Sequence, residues 1–301
     1  MKCHYIPKFY LKRWTVDGEL VEFQRRKPGS PIVTTMRRSP AGTGWAKDLY
    51  TFQGLPEEKK HLVEKVFFLM VDSRAADALK LMEDRSNAWT VAIREAWALF
   101  LMSLITRHQQ DIEAFRFVYR RDFLRASEED RERYEKAKGP NDPPTVEEYF
   151  KQFHPEFIGN MAMNNIPKLV MHEGGVASLM NMHWSVCTPP EHGYFLTSDR
   201  PTVRTFLGRP DSHWVLPIGP RRLFVAAERK DYGEAIHAAV YKQGWKQLNK
   251  IVIGQAVTTA YADRESNLPL VQRYLGTATR PSGIMSFVSN PETAPPLEEV
   301  P

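Results

Sequence analysis

Trp184-Ser185-Val186-Cys187, Tyr194-Phe195-Leu196-Thr197, Val203-Arg204-Thr205-Phe206, Trp214 to Ile218 and Leu223 to Ala227 decide the fold class. They are short runs rich in aromatic and β-branched residues. Pro189-Pro190, Arg200-Pro201, Gly208-Arg209-Pro210 and Gly219-Pro220 separate them. Apolar runs of four to six residues bounded by such breaks predict strands. Upstream of His183 the chain reads differently. Leu62, Val66, Leu69, Met70, Ala75, Leu79 and Met82 repeat at three- and four-residue spacing, as do Trp89, Ile93, Trp97, Phe100, Leu104 and Ile105. Two amphipathic helices are expected there, the first opened by Pro56-Glu57-Glu58 and the second from near Ser86 with a stripe running on to Phe115.

Working outward, residues 120–138 predict a charged, solvated helix. Gly139-Pro140-Asn141-Asp142-Pro143-Pro144 is a loop, and Thr145 caps a helix through Phe153. Residues 156–182 are Met-rich and helical in pattern. Near the N-terminus, Asp17-Gly18 precedes an alternating stretch over 18–27 that predicts a hairpin strand. A turn-rich segment covers 29–44, and Asp48 to Phe52 is expected to return as a strand. Residues 234–249 and 250–262 read as helices, with Gly244 and Gly254 as weak points. The expectation is one α+β domain over 1–280: strands in 18–56, helices in 57–182, strands in 183–228 and helices in 234–262. Short antiparallel strands from both ends of the chain enclose a helical middle. The Pro- and Glu-rich tail, 281–301, reads as disordered.

The 301 residues are 42% apolar and 11% aromatic, enough for a sizeable core. Only Cys3 and Cys187 occur, which excludes a disulfide scaffold and suits a reducing compartment. No apolar run has the length of a membrane span, no secretory leader is visible, and the expected location is the cytoplasm. Residues 1–50 carry ten Lys/Arg against four Asp/Glu, so this sixth of the chain holds +6 of a total of +5. A basic N-terminal segment on a near-neutral body suits nucleic acid or another phosphate-bearing ligand, and equally an ordinary solvated surface.

Two blocks carry chemistry. His4-Tyr5-Ile6-Pro7-Lys8-Phe9-Tyr10-Leu11-Lys12-Arg13-Trp14 begins the chain with a dense polar and aromatic signature. Tyr194-Phe195-Leu196-Thr197-Ser198-Asp199-Arg200-Pro201 places two hydroxyls and a carboxylate where an apolar strand stops. Asp199 there suits either a metal or base role or the cap of an Asx-turn before Pro201. His4 suits a proton carrier, or a histidine satisfied inside the fold. His108 continues the apolar stripe of the second helix, with Arg107 and Asp111 beside it. Arg107 and Asp111 are spaced as an i,i+4 ion pair. Walker A, dinucleotide-glycine, HExxH, kinase and Gly-x-Ser-x-Gly patterns are absent, so no nucleotide cofactor is expected.

Both blocks resemble the bacterial family of domain of unknown function 4238, whose members open His-Tyr-hydrophobic-Pro-x-Phe-Tyr-Leu and carry a Phe-[Leu/Ile]-Thr-Ser-Asp-x-Pro strand end. Trp184 precedes the second block as in that family. Leu216 to Pro220 is similar to its Pro-Leu-Ser-Pro turn, with Gly219 in place of the Ser. Asn249 and Ala256 fall where the family has its late Asn and Ala. The resemblance spans residues 4 to about 262 and implies no chemistry.

The working expectation is a cytoplasmic hydrolase, a metal-dependent nuclease reaching nucleic acid through the basic N-terminal segment. His4, His108 and Asp199 would be catalytic. Tyr5, Arg25, Arg26, Arg107, Ser198, Arg200 and Asn249 would bind. Asp199 and Glu64 would hold a divalent metal, Mg or Mn. The alternative is a non-catalytic binding or regulatory module in which the same residues form a structural polar network.

Overall fold

The computed structural model describes residues 1–26, 30–83, 89–123 and 126–278. The expected tail, 281–301, and Ser86 lie outside them. The chain is α+β and its sheets are antiparallel. Strand β1 (Lys2–His4) leads into a short helix α1 (Lys8–Leu11). Strands β2 (Leu20–Gln24), β3 (Thr34–Arg38) and β4 (Trp45–Lys47) follow. The helical middle comprises α2 (Leu69–Glu83), α3 (Val91–Leu104), α4 (Gln109–Phe123), α5 (Glu128–Ala137), α6 (Val146–Phe153), α7 (Phe157–Val170) and α8 (Glu173–Asn181). Then come β5 (His183–Cys187), β6 (Thr197–Ser198), β7 (Val203–Arg204), β8 (His213–Gly219), β9 (Arg222–Ala227), α9 (Lys230–Ala239), α10 (Trp245–Gly254), β10 (Thr259–Ala262) and α11 (Leu268–Tyr274).

Three sheets organise these elements. β1 and β4 form a two-stranded ribbon. A second sheet runs β3-β2-β10-β6 and joins the N-terminal hairpin to the late strands. A third runs β5-β9-β8-β7. The third sheet is buried on both faces, which is why its central strands are continuously apolar. Trp214, Leu216, Phe224 and Ala226 face the helical middle, whereas Val215, Leu223 and Val225 meet Val240, Trp245, Leu248 and Val252 beneath α9 and α10. Among the described residues, no helix is long and apolar enough to cross a membrane.

Several expectations change. Residues 250–262 are not one helix: α10 ends at Gly254, and Thr259–Ala262 is a fully buried strand between β2 and β6. Apolar periodicity cannot distinguish a buried strand from a buried helix turn over so short a run. Asp48 to Phe52 is a turn; the strand ends at Lys47, and Asp48 takes φ 53°, a left-handed value. The turn-rich 29–44 contains β3, which pairs with β2.

The stripe assigned to the first long helix is also displaced. A π-helical turn, Val63–Phe68, precedes α2, so Val63, Phe67, Phe68 and Val71 point inward, while Leu62, Val66, Leu69 and Met70 are exposed. An extra residue per turn rotates the face in a way that a 3.6-residue count does not anticipate. The second helix stops at Leu104. It is capped by Thr90, whose hydroxyl accepts from the Ile93 amide at 3.3 Å. Residues 105–108 form a connection before α4 rather than a continuation to Phe115. Gly244 is required where it stands, because a Cβ there would lie 2.7 Å from the Ala239 carbonyl oxygen.

The N-terminal block is buried rather than displayed. Tyr10 Oη donates to the Pro217 carbonyl at 2.7 Å and lies 2.6 Å from Thr197 Oγ1; Trp14 Nε1 donates to the Phe195 carbonyl at 3.1 Å. Two late segments, 195–197 and β8, are thereby stapled to the first helical turns. Tyr10→Phe leaves a buried hydroxyl and a carbonyl short of a partner, so chemical denaturation should show a loss of about 1–3 kcal/mol with an unchanged fold.

Candidate functional site

The seam between the N-terminal block and the late strands gathers most of the expected residues. It consists of two polar groups joined through the consecutive residues Arg107 and His108.

The inner group centres on Asp199, at the end of β6. Its Oδ1 accepts from the Val257 amide at 2.8 Å, and its Oδ2 from the amides of Thr258 and Thr259 at 2.8 and 3.0 Å. His108 Nε2 stands 3.8 Å from Oδ2. Burial opposes ionisation of this carboxyl, but the bond and charge of His108 and the backbone amides outweigh it and hold Asp199 below the ordinary aspartate range. His108 Nδ1 accepts the Gln110 amide at 3.2 Å, which leaves Nε2 to face the carboxylate. The Tyr5 ring packs edge-on against His108 at 5.0 Å between centroids. Burial raises the Tyr5 phenol, with the charges of Asp199 and Glu22 adding to it.

Around this centre the other residues are pinned. Ser198 Oγ donates to the Val252 carbonyl at 2.8 Å and accepts from the Arg200 amide. Asn249 satisfies both backbone edges of its neighbour, accepting from Leu196 and donating to the Tyr194 carbonyl, each at 2.9 Å. It serves 194 and 196 as a neighbouring strand would, while the Phe195 amide donates to the Pro220 carbonyl at 2.8 Å. The expected Arg107–Asp111 pair does not form, because the helix breaks between them. Arg200 Nη1 instead meets Asp111 Oδ2 at 2.8 Å, and Arg107 takes Asp72 in a two-pronged contact at 2.8 and 3.2 Å.

The outer group belongs to the β1–β4 ribbon. The His4 amide donates to Glu64 Oε1 at 3.2 Å. His4 Nε2, Glu64 Oε2 and Arg107 Nε are buried without a hydrogen-bond partner. Burial, then the charges of Lys8, Arg107 and Lys2, lower the His4 imidazole to about 4. Burial raises the Glu64 carboxyl, opposed by Arg107 and the His4 amide. In ribbon register His4 stands opposite Trp45 and Lys2 opposite Lys47, so these four side chains share one face. The Lys2 ammonium lies 4.2 Å from the Trp45 ring centre.

Two assigned residues lie elsewhere. Arg25 donates to the Leu275 and Gln272 carbonyls and caps the end of α11, a structural task at odds with phosphate contact. Arg26 is exposed. Sequence reasoning missed Glu22, buried at 7% exposure opposite Tyr261 and bonded by Thr43, which also reaches the Tyr261 hydroxyl at 3.2 Å. The available signal was a carboxylate inside the apolar run Leu20-Val21-Glu22-Phe23.

The profile described as "Protein of unknown function (DUF4238)" matches residues 2–266. The chain belongs to this family. The DUF4238 match spans both groups of the seam, from the ribbon through β10. No curated protein and no solved structure matches the chain.

The donor set of this DUF4238 chain does not fit a divalent metal at Asp199. Both carboxylate oxygens are occupied by amides. Among the described residues, no three His, Cys, Asp or Glu side chains converge as a ligand set.

Asp199→Asn should cost about 2–4 kcal/mol, since one amide N–H must then face an NH2 group. A depressed folded pKa means that the Asp199 contribution is complete above the unfolded value of about 3.9 and is lost as pH falls through the lower folded value. The acid limb of a pH–stability curve should therefore flatten in Asp199→Asn. His4 acts in a separate window. Between about 6.5 and about 4 the unfolded chain binds a proton that the folded chain refuses, so stability declines as pH drops through that interval. Urea midpoints at several pH values should show this slope reduced in His4→Gln.

Proposed function

We propose that the protein is a cytoplasmic hydrolase that binds nucleic acid on the outer face of the β1–β4 ribbon and works through the buried His4 and Glu64 behind that face. The observation that carries this reading is the shared face of Lys2, His4, Trp45 and Lys47, with the unpartnered Glu64 oxygen beside it. Two lysines attract the phosphate backbone, and Trp45 offers a surface on which a base stacks. His4, neutral at neutral pH, takes a proton from the attacking water. Glu64, whose carboxyl pKa is raised by burial, is the group beside His4 that passes a proton to the departing oxygen as the phosphodiester bond breaks. Asp199 and His108 then hold the seam rather than react. The two unpaired thiols, Cys3 and Cys187, suit the reducing cytoplasm.

Incubation with DNA, RNA and tRNA, in chelator and in Mg2+ or Mn2+, checks the reading directly. Cleavage should fall about a hundredfold or more in His4→Ala and in Glu64→Gln. Lys2→Ala combined with Lys47→Ala should weaken binding and shallow its salt dependence by about two phosphate contacts. Cleavage that survives His4→Ala sinks the assignment.

The non-catalytic binding module is favoured by a different observation. Leu62, Val66, Leu69 and Met70 expose one apolar stripe at 45%, 61%, 61% and 40%. Under that reading no substrate is cleaved, and Val66→Glu with Leu69→Glu abolishes partner binding without lowering stability.

A further inference from the structure

On the far side of the third sheet, β5 is an edge strand, paired among the described residues with β9 alone. Trp184 turns to the core face, against Trp89 and Phe224 at 5.2 Å each. Ser185, the next residue, therefore faces the opposite way, towards α9. There its Oγ lies 2.8 Å from His237 Nε2. Both side chains line a groove of about 900 Å³, together with Trp89, Trp184, Tyr241 and Lys242.

A serine hydroxyl in hydrogen-bond contact with an imidazole, both open to one groove, is the elementary arrangement of an activated nucleophile. Burial lowers the His237 pKa, so the ring is neutral and its lone pair accepts the hydroxyl proton at neutral pH; Glu234, one turn earlier on α9, acts in the opposite sense by favouring the imidazolium that then forms. Cys187 lines the same groove but is unsuited to the role, because burial pushes its thiol up to about 12.

We propose that Ser185 and His237 form an acyl-transfer site that hydrolyses carboxylic esters carrying a flat apolar acyl group. The Ser185 oxygen bonds to the ester carbonyl carbon while its proton passes to His237 Nε2. The bond from that carbon to the alcohol oxygen breaks, and the alcohol leaves with the proton. Water then attacks the acyl-serine, His237 takes a proton from it and returns it to Ser185, and the acid departs. Tyr241, four residues after His237 and lining the same groove, contacts the acyl group, and the Lys242 ammonium, also in its lining, offsets negative charge on the carbonyl oxygen. Oxygen esters, not phosphodiesters, are the substrates, so this site is independent of the ribbon face.

The full chain treated with a fluorophosphonate probe, and separately with p-nitrophenyl benzoate, tests the site. The expected result is one label per chain, mapped by mass spectrometry to Ser185 in the wild-type protein, with ester turnover. His237→Gln should slow labelling about a hundredfold. Ser185→Ala should abolish it, while Ser178→Ala, at a half-buried serine on α8, should leave it unchanged. A label on any other residue overturns the proposal. So does the absence of a label on wild-type protein that shows a cooperative melt. Mapping in the wild type keeps the test valid even if Ser185→Ala fails to fold.

Discussion

A fully buried carboxylate organises this structure. Asp199 is 1% exposed, and an ion removed from water to that degree persists only when its oxygens are answered by donors. Three consecutive amides, Val257 to Thr259, provide them. Those amides are aligned only because the chain leaves α10, turns and enters β10. The carboxylate therefore dictates where β10 starts. β10 lies between β2 and β6, so the same contact decides how the N-terminal hairpin joins the late strands. His108 adds the helical middle to this junction from the break between α3 and α4.

The first fourteen residues then close the fold from the other side. Tyr10 and Trp14 are both fully buried, and each directs its one polar atom to a backbone carbonyl on the late strands. Aromatic residues suit such a junction, since they bury a large area and still present a single donor. Arg107 repeats the logic in the helical middle. Its guanidinium is fully buried, clasped by Asp72 and laid 4.3 Å from the centre of the Phe68 ring. The π-helical turn before α2 brings Phe68 inward for this contact, and the same rotation exposes Leu62, Val66, Leu69 and Met70. One apolar stripe is left in solvent because another is needed beneath an arginine.

Much of this was legible in the residues. Proline-bounded runs after His183 marked β5, β8 and β9, and three- and four-residue spacing marked α3. The α+β class follows from those two periods. Three features were not legible, each for a physical reason. Thr259–Ala262 is too short and too uniformly buried for its period to be read. The π-helical turn breaks the count on which helical faces rest. The break at 105–108 carries no Gly or Pro, so nothing local announces it; tertiary partners hold it, among them the Tyr50 hydroxyl on the Arg107 carbonyl. For the seam, the sequence named most of the polar residues that the fold brings together but not their partners. Arg107 and Asp111 are spaced to bond each other, yet the break turns them towards Asp72 and Arg200.

The polar groups of the seam divide into saturated and unsaturated ones. Asp199, Ser198 and Asn249 spend their side-chain oxygens on backbone groups of the chain itself, and His108 Nδ1 does the same. His4 Nε2 and Glu64 Oε2 carry the opposite signature: each is held in place through another atom of its residue and leaves one polar atom unanswered. An unanswered buried polar atom costs stability, and such a cost persists where the atom has a further use. The DUF4238 seam thus combines a closed network that positions β10 with an adjoining open one on the ribbon. The closed network explains why the open one is rigid: Tyr5, the residue after His4, is packed edge-on against His108, so the imidazole of His4 is carried on a backbone that the Asp199 junction already holds.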